Sequence, residues 1–195
     1  DLPSNEDKRA LYEFGKEQFL ALGYKEIGMD HFALPSDELS TSMFNRELHR
    51  NFMGYTSSKT KLLIGLGMSA ISDSWLGFSQ NVKTVAEYER IAMSGEIPVF
   101  RGHLLNDEDL IIRQHVLNLM CQFETDFTSS KEQFPELEDC MSKLDEMESD
   151  GLITRTGNQL KVLEKGRPFV RNVCMALDLR LHRKAPKTQV FSMTI

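Results

Sequence analysis

The sequence predicts an α+β chain: strand–helix units over residues 1–105, then a mainly helical, winged-helix-like domain with a small β-hairpin over residues 106–195. Two observations predict it. In the first hundred residues, segments with apolar residues at helical spacing alternate with short extended runs. Near Asn106 that rhythm gives way to helix, helix, hairpin, helix. The first part opens on a helix with no strand before it, so it reads as the end of a larger α/β domain with parallel strands.

Ser4 and Asp7 form a capping box, in which the hydroxyl accepts the Asp7 amide and the carboxylate faces the helix's positive end. The helix runs to about Leu22, with Leu11, Phe14, Phe19 and Leu22 as its buried stripe and Gly23 in the left-handed turn that ends it. "YKEIGMDHF" alternates as a short strand and places Asp30 and His31 at its C-terminal end. Ser36 caps a helix over residues 37–51, and "KLLIGLG" (residues 61–67) reads as the next buried strand. Thr84 with Glu87 makes a second capping box, and Gly95 ends that helix. "IPVFRGHLL" is extended, and Asn106 caps a helix over residues 107–127. Pro135 opens the following helix at a first-turn position. "LITRT" and "QLKVL" form a hairpin around Gly157-Asn158, and a long helix covers residues 164–182.

Composition places the chain in the ordinary soluble class, with 41% hydrophobic and 27% charged residues. No apolar run approaches the roughly 20 residues of a bilayer span. The acidic N-terminus is unlike a secretory signal, so the expected location is the cytosol and no membrane partner is expected. Cys121, Cys140 and Cys174 contain no C-x-x-C pair and read as buried apolar residues. The net charge of -6 is uneven: residues 106–150 carry three Lys/Arg against thirteen Asp/Glu, and residues 151–195 carry nine against two. The two segments should therefore attract each other.

Several motifs suggest chemistry. "LLIGLGMSAISD" is a strand running into Gly65-x-Gly67-x-x-Ala70, which resembles a dinucleotide fingerprint. No helix follows it and no acidic residue ends a strand about twenty positions on, so a pyrophosphate cradle is disfavoured. Asp30-His31 supplies two candidate metal ligands where sites gather three or four, and His49 and His103 lack partners at ligand spacing. "HRNFMGYT" combines basic, aromatic and glycine residues, so Phe52 and Tyr55 can face a flat ligand or cover the core. A winged helix often reads DNA through a basic helix. Here the corresponding helix, "ELEDCMSKLDEMESD", has one lysine among many carboxylates, so no nucleic-acid partner is expected.

At "IGMDHFALPSDEL", "RNFMGYTS", "IGLGMSAIS", "QNVK" and "GRPFVRNVCM" the chain resembles the oxygen-independent coproporphyrinogen III oxidases, radical S-adenosylmethionine enzymes of haem biosynthesis. The resemblance runs from the first helix to the terminal "QVFSMTI". It implies the C-terminal part of a longer enzyme: the last units of an incomplete radical S-adenosylmethionine barrel, then the helical domain. It also implies a family reaction in which a reduced [4Fe-4S] cluster cleaves S-adenosylmethionine to a 5′-deoxyadenosyl radical. Two propionates of coproporphyrinogen III each lose hydrogen and carbon dioxide and become vinyl groups, giving protoporphyrinogen IX.

The family's C-x-x-x-C-x-x-C cluster motif is absent from these residues, so this chain alone is expected to hold no cluster and to be inactive. Carried over by position, the resemblance implies that the main chain of Ile71 reaches the adenosine and that Phe52 lines the same cavity. Met53 stands where better-known members carry glutamine, and a thioether offers only a weak acceptor there. A haem-chaperone relative is the nearest rival, but its loop is closer to H-N-x-x-Y-W. A stand-alone winged-helix interaction module is the other alternative. The intact enzyme is expected to be a monomer, and the chain alone is expected to pair through its broken barrel edge. Arg167, Arg171, Arg180 and Arg183 either attract the tetracarboxylate substrate or pair with the acidic helices of residues 107–150.

Overall fold

The computed structural model describes residues 3–131 and 136–184. Helix α1 (Asn5–Ala21) starts at the capping box read from the sequence: Ser4 Oγ accepts the Asp7 N–H at 3.1 Å, and the Asp7 carboxylate accepts the Ser4 N–H at 3.1 Å. Gly23, at φ 86°, turns the chain out of the helix. The expected buried stripe does not form. Leu11, Phe14 and Leu22 are 63%, 62% and 72% exposed. The helix is instead anchored by other side chains: the Tyr12 hydroxyl lies 3.1 Å from Glu26 Oε1 and 2.9 Å from the Met29 carbonyl, Lys16 Nζ lies 2.7 Å from Glu26 Oε2, and Phe19 stacks on Phe32.

Strands β1 (Lys25–Gly28) and β2 (His31–Ala33) form an antiparallel hairpin. Asp37, rather than Ser36, caps α2 (Glu38–Phe44) by accepting the Leu39 N–H at 2.8 Å. That helix stops well short of residue 51, because Arg46 adopts φ 61° and redirects the chain into β3 (His49–Asn51), which pairs with β4 (Gly54–Thr56). The strand expected over residues 61–67 is irregular apart from a bridge from Leu63 to Asp73. The sheet is built instead from β5 (Ile71–Asp73), β6 (Gly77–Asn81) and β7 (Val99–Leu104), in the order β5-β6-β7. Helix α3 (Val85–Met93) connects β6 to β7. Thr84 occupies its N-cap but makes no side-chain capping bond, so the second expected box is absent.

Asn106 caps α4 (Asp107–Gln122) as expected: its Oδ1 accepts the Asp109 N–H at 2.9 Å, and Asp109 Oδ2 accepts the Asn106 N–H at 3.0 Å. The helix ends before residue 127 because Phe123 takes φ 59° and turns the chain into β8 (Glu124–Asp126). Then come α5 (Thr128–Lys131), α6 (Glu136–Ser142), α7 (Asp145–Ser149), β9 (Ile153–Thr156) and β10 (Gln159–Val162). Pro135 lies outside the described residues. The hairpin around Gly157 forms as read, and β8 adds a third strand, giving the order β8-β10-β9. The single helix expected over residues 164–182 is broken. A 3₁₀ turn (Glu164–Phe169) containing Pro168 leads to α8 (Val170–Ala176), and α9 (Leu179–Lys184) starts afresh with Asp178 accepting the Leu181 N–H at 2.8 Å. Proline lacks the N–H that an α-helical ladder needs.

Every strand pairing among the described residues is antiparallel, not parallel as the helix–strand rhythm implies. In the hairpins the reason is connection length; β6–β7, joined through α3, is antiparallel despite a longer connection. Paired neighbours such as β1–β2, β3–β4 and β5–β6 are joined by two or three residues, whereas a parallel crossover needs a dozen or more.

Contacts group the chain into two compact units, Asp1–Ser57 with Ile112–Ile195, and Ser58–Ile111. In the first, Ile27, Leu48 and Tyr55 join Leu119, Phe127, Leu144, Leu160 and Val173 in one buried cluster, so this core draws on both sides of the boundary read at residue 105. In the second, Val82, Asp73 and Asn81 are buried, while β7 is exposed along its whole length.

Candidate functional site

Within the first unit, the β3–β4 hairpin carries two of the three residues singled out for cofactor contact. Its register sets Arg50 opposite Tyr55 and Asn51 opposite Gly54, leaving Phe52 and Met53 as a two-residue tip. Asn51 Oδ1 accepts the Met53 N–H at 2.8 Å and pins that turn. Phe52 is 52% exposed and Met53 is 86% exposed, so the tip is an apolar surface.

Tyr55 anchors the hairpin. Its hydroxyl donates to the Met120 carbonyl at 2.9 Å, and burial pushes its phenol well above the usual range. Gly28 gives the ring room, since a methyl group there would overlap the Tyr55 hydroxyl. The Arg50 guanidinium sits 4.6 Å above the ring centroid, a cation–π contact. The His31 ring meets the Tyr55 ring edge-on at 5.1 Å.

His31 is tethered to its neighbour: Nδ1 lies 2.8 Å from Asp30 Oδ1, which as a carboxylate only accepts, so Nδ1 carries the proton. Nε2 points at Gly54, where a Cβ would come within 2.8 Å of it, and Gly54 has the left-handed φ of 128°. The Asp30–His31 pair therefore occupies a hairpin turn packed against β4, not the open end of a parallel strand. Among the described residues no group of three or more His, Cys, Asp or Glu is arranged to hold a metal.

In the second unit, the Gly65–Gly67 loop lies against Ile71. A Cβ on Gly65 would come within 2.6 Å of the Ile71 carbonyl oxygen, so only glycine permits that approach. The loop's polar backbone is occupied by its own unit. The Gly65 N–H donates to Ser72 Oγ at 3.0 Å and the Gly67 N–H to the Tyr88 hydroxyl at 3.0 Å. Asn81 Nδ2 donates to both carbonyls, at 3.1 and 2.9 Å. A phosphate cradle needs those amides free and a helix behind them. Here the amides are engaged, and β5 follows instead of a helix.

The three cysteines do not fit an iron–sulfur cluster. Cys121 and Cys140 are buried in the core, and burial pushes the Cys174 thiol up to about 12, whereas cluster ligands are thiolates. The attraction expected between the acidic and basic segments is realised in part: Arg183 Nη2 lies 3.0 Å from Glu136 Oε1, and Arg155 bonds Glu148, Asp145 and the Met141 carbonyl. Arg167 pairs with Glu164 at 3.0 Å and lies over the Phe123 ring at 4.6 Å. Arg50 and Arg155 belong to no motif in the sequence that marks the contacts they make. Residues 49–51, which the sequence predicts as the end of a helix, form β3, with Phe52 and Met53 as the turn to β4.

No family model matches the chain. Three curated oxygen-independent coproporphyrinogen III oxidases match along its full length: 36% identity in Synechocystis sp., 36% in Salmonella typhimurium and 34% in Escherichia coli. The chain covers 43%, 44% and 44% of those proteins, less than half their length. The solved structure of the Escherichia coli coproporphyrinogen III oxidase (HemN), described as a radical SAM enzyme, superposes with a TM-score of 0.83 at 34% identity, over 93% of this chain and 43% of that one. In sequence and in fold alike, the chain is a homologue of the oxygen-independent coproporphyrinogen III oxidases, matched from end to end while spanning less than half of theirs.

Proposed function

We propose that this chain works as part of an oxygen-independent coproporphyrinogen III oxidase, where it covers the cofactor and the substrate. The observation that carries this reading is full-length identity of 34–36% to proteins of that name, together with the shared fold. In such an enzyme a [4Fe-4S] cluster held elsewhere in the protein, acting with S-adenosylmethionine, would supply the hydrogen-abstracting chemistry that turns two propionates into vinyls. This chain's share is binding and shielding. The backbone at Ile71, paired with Gln80 of β6 and lying against the Gly65 loop, suits recognition of an adenosine by main-chain groups. The exposed Phe52 ring suits apolar contact with a flat ligand. Met53, at the same tip, supplies apolar contact but no amide.

Residues 1–105 are read as the closing units of a radical S-adenosylmethionine barrel, and residues 106–195 as a helical, winged-helix-like domain with its hairpin. The apolar side chains left in solvent are consistent with surfaces that further protein covers: Leu11, Phe14 and Leu22 in one unit, and Ile64, Leu66 and Leu104 in the other. In the isolated chain the same surfaces favour association with a second copy. A monodisperse monomer in light scattering at tens of micromolar would argue against that.

The decisive experiment assays the whole enzyme containing this chain, with its cluster reconstituted, under anaerobic conditions. Formation of protoporphyrinogen IX from coproporphyrinogen III is expected. Stable haem binding without decarboxylation would overturn the reading in favour of the chaperone relative.

A further inference from the structure

Arg50 stands apart from the chain's well-paired arginines. Arg155 spends its guanidinium on Glu148, Asp145 and the Met141 carbonyl. Arg46, Arg167 and Arg183 each face a carboxylate. Arg50 is half-buried, lies on the face of Tyr55, and has an Nη1 that is shielded from solvent without any hydrogen-bond partner among the described residues. A guanidinium has five N–H donors in a planar fork, and the face of an aromatic ring satisfies none of them.

The surroundings explain why the charge stays unpaired. Asp30, whose charge reaches the Tyr55 that Arg50 covers, is engaged by His31 Nδ1. Cys174, which feels the Arg50 charge, is a neutral thiol. The Tyr55 ring itself is fixed by its bond to Met120. The fork is therefore held in place by a rigid aromatic platform and is short of an acceptor. Two residues along the same hairpin the surface becomes apolar, at Phe52 and Met53. A cation beside an exposed apolar tip matches a ligand that presents a carboxylate next to a flat apolar body.

We propose that Arg50 is a carboxylate-binding residue, receiving one carboxylate of the bound ligand on its guanidinium fork while the Phe52–Met53 tip contacts the ligand's apolar part. Planar bidentate pairing is the geometry in which arginine outperforms lysine. The inference rests on the functional reading above for its choice of ligand. Two ligands of that reading carry carboxylates, the tetracarboxylate porphyrinogen and the methionine end of S-adenosylmethionine, and they can be separated by experiment.

The test uses the whole enzyme containing this chain, as wild type, Arg50→Gln and Arg50→Lys, each checked for an unchanged circular dichroism spectrum. Dissociation constants are measured for coproporphyrin III (the air-stable oxidised ring), for its tetramethyl ester, and for S-adenosylmethionine. For a propionate partner, Arg50→Gln weakens coproporphyrin III about tenfold, or about 1.4 kcal/mol, and leaves the ester unchanged. Arg50→Lys, which keeps the charge but loses the fork, gives a smaller loss. For a cofactor partner, the same pattern appears with S-adenosylmethionine and not with the porphyrin. Should Arg50→Gln fail to fold, the Arg50→Lys comparison of acid against ester decides alone. Unchanged constants, or equal weakening of acid and ester, overturn the proposal while the functional reading stands. A wild type that binds neither ligand overturns both.

Discussion

Acidification should destabilise this chain through one buried imidazole. His115 on α4 is 4% exposed, its Nδ1 is 2.8 Å from Thr125 Oγ1, and its ring lies 4.3 Å from that of Phe127. Burial lowers its pKa from 6.5 to about 4, against a smaller opposing pull from Asp126. Between those values the unfolded chain binds the proton and the folded chain does not. Stability is therefore full above about pH 6.5, falls as pH drops through the window, and levels off below about 4. Linkage puts the loss at roughly 2 kcal/mol by pH 5 and roughly 3 kcal/mol across the whole window. Urea titrations followed by circular dichroism at pH 7.5, 6.5, 5.5 and 5.0 and constant ionic strength would measure it. The carboxylates held low by local hydrogen bonds, Asp7, Asp126 and Glu148, lose their contribution at lower pH than this, so they do not mimic the effect. His115→Gln should be less stable at pH 7.5 yet nearly flat across the window. Parallel profiles for wild type and variant would refute the argument.

Three further perturbations probe the fold around the site. Gly28→Ala drives a methyl group into the Tyr55 hydroxyl, so the ring must give up its bond to Met120; a loss of about 2–4 kcal/mol in urea denaturation is expected, and the Arg50 platform should loosen with it. Leu160→Ala removes a side chain that is 1% exposed at the centre of the β8-β10-β9 sheet and should cost about 2–5 kcal/mol in the same assay. Arg155→Lys keeps the charge but cannot span Glu148, Asp145 and the Met141 carbonyl at once, so the urea midpoint should fall while the slope of the transition stays constant.

The features legible in the sequence were those decided within a few residues. The Ser4–Asp7 box, the Asn106 cap and the Gly157 hairpin depend on side chains that reach their own backbone, and all three form as read. Features decided by distant neighbours were not legible. The stripe of Leu11, Phe14 and Leu22 has helical spacing whether or not anything covers it. Antiparallel pairing in β1–β2, β3–β4 and β5–β6 follows from turns of two or three residues, which the helix–strand rhythm conceals. The left-handed angles at Arg46 and Phe123, residues that rarely adopt them, cut two helices short without a glycine to announce it. At the candidate site the tip residues were visible as an aromatic–glycine loop. The pairing of Arg50 with Tyr55 was not, because it depends on the register of a hairpin whose first strand lies where the sequence predicts the end of a helix.

The burial of the thiols has a practical consequence. Cys121 and Cys140 are sealed in the same cluster as Leu119 and Leu144, and the Cys174 thiol stays protonated at any ordinary pH. Alkylating reagents attack thiolates in solvent. The native chain therefore presents little to react, and opening of α4, α6 or α8 would expose the cysteine that each carries. Labelling rates would read those openings residue by residue, so the chain carries its own clock for local unfolding without any introduced probe.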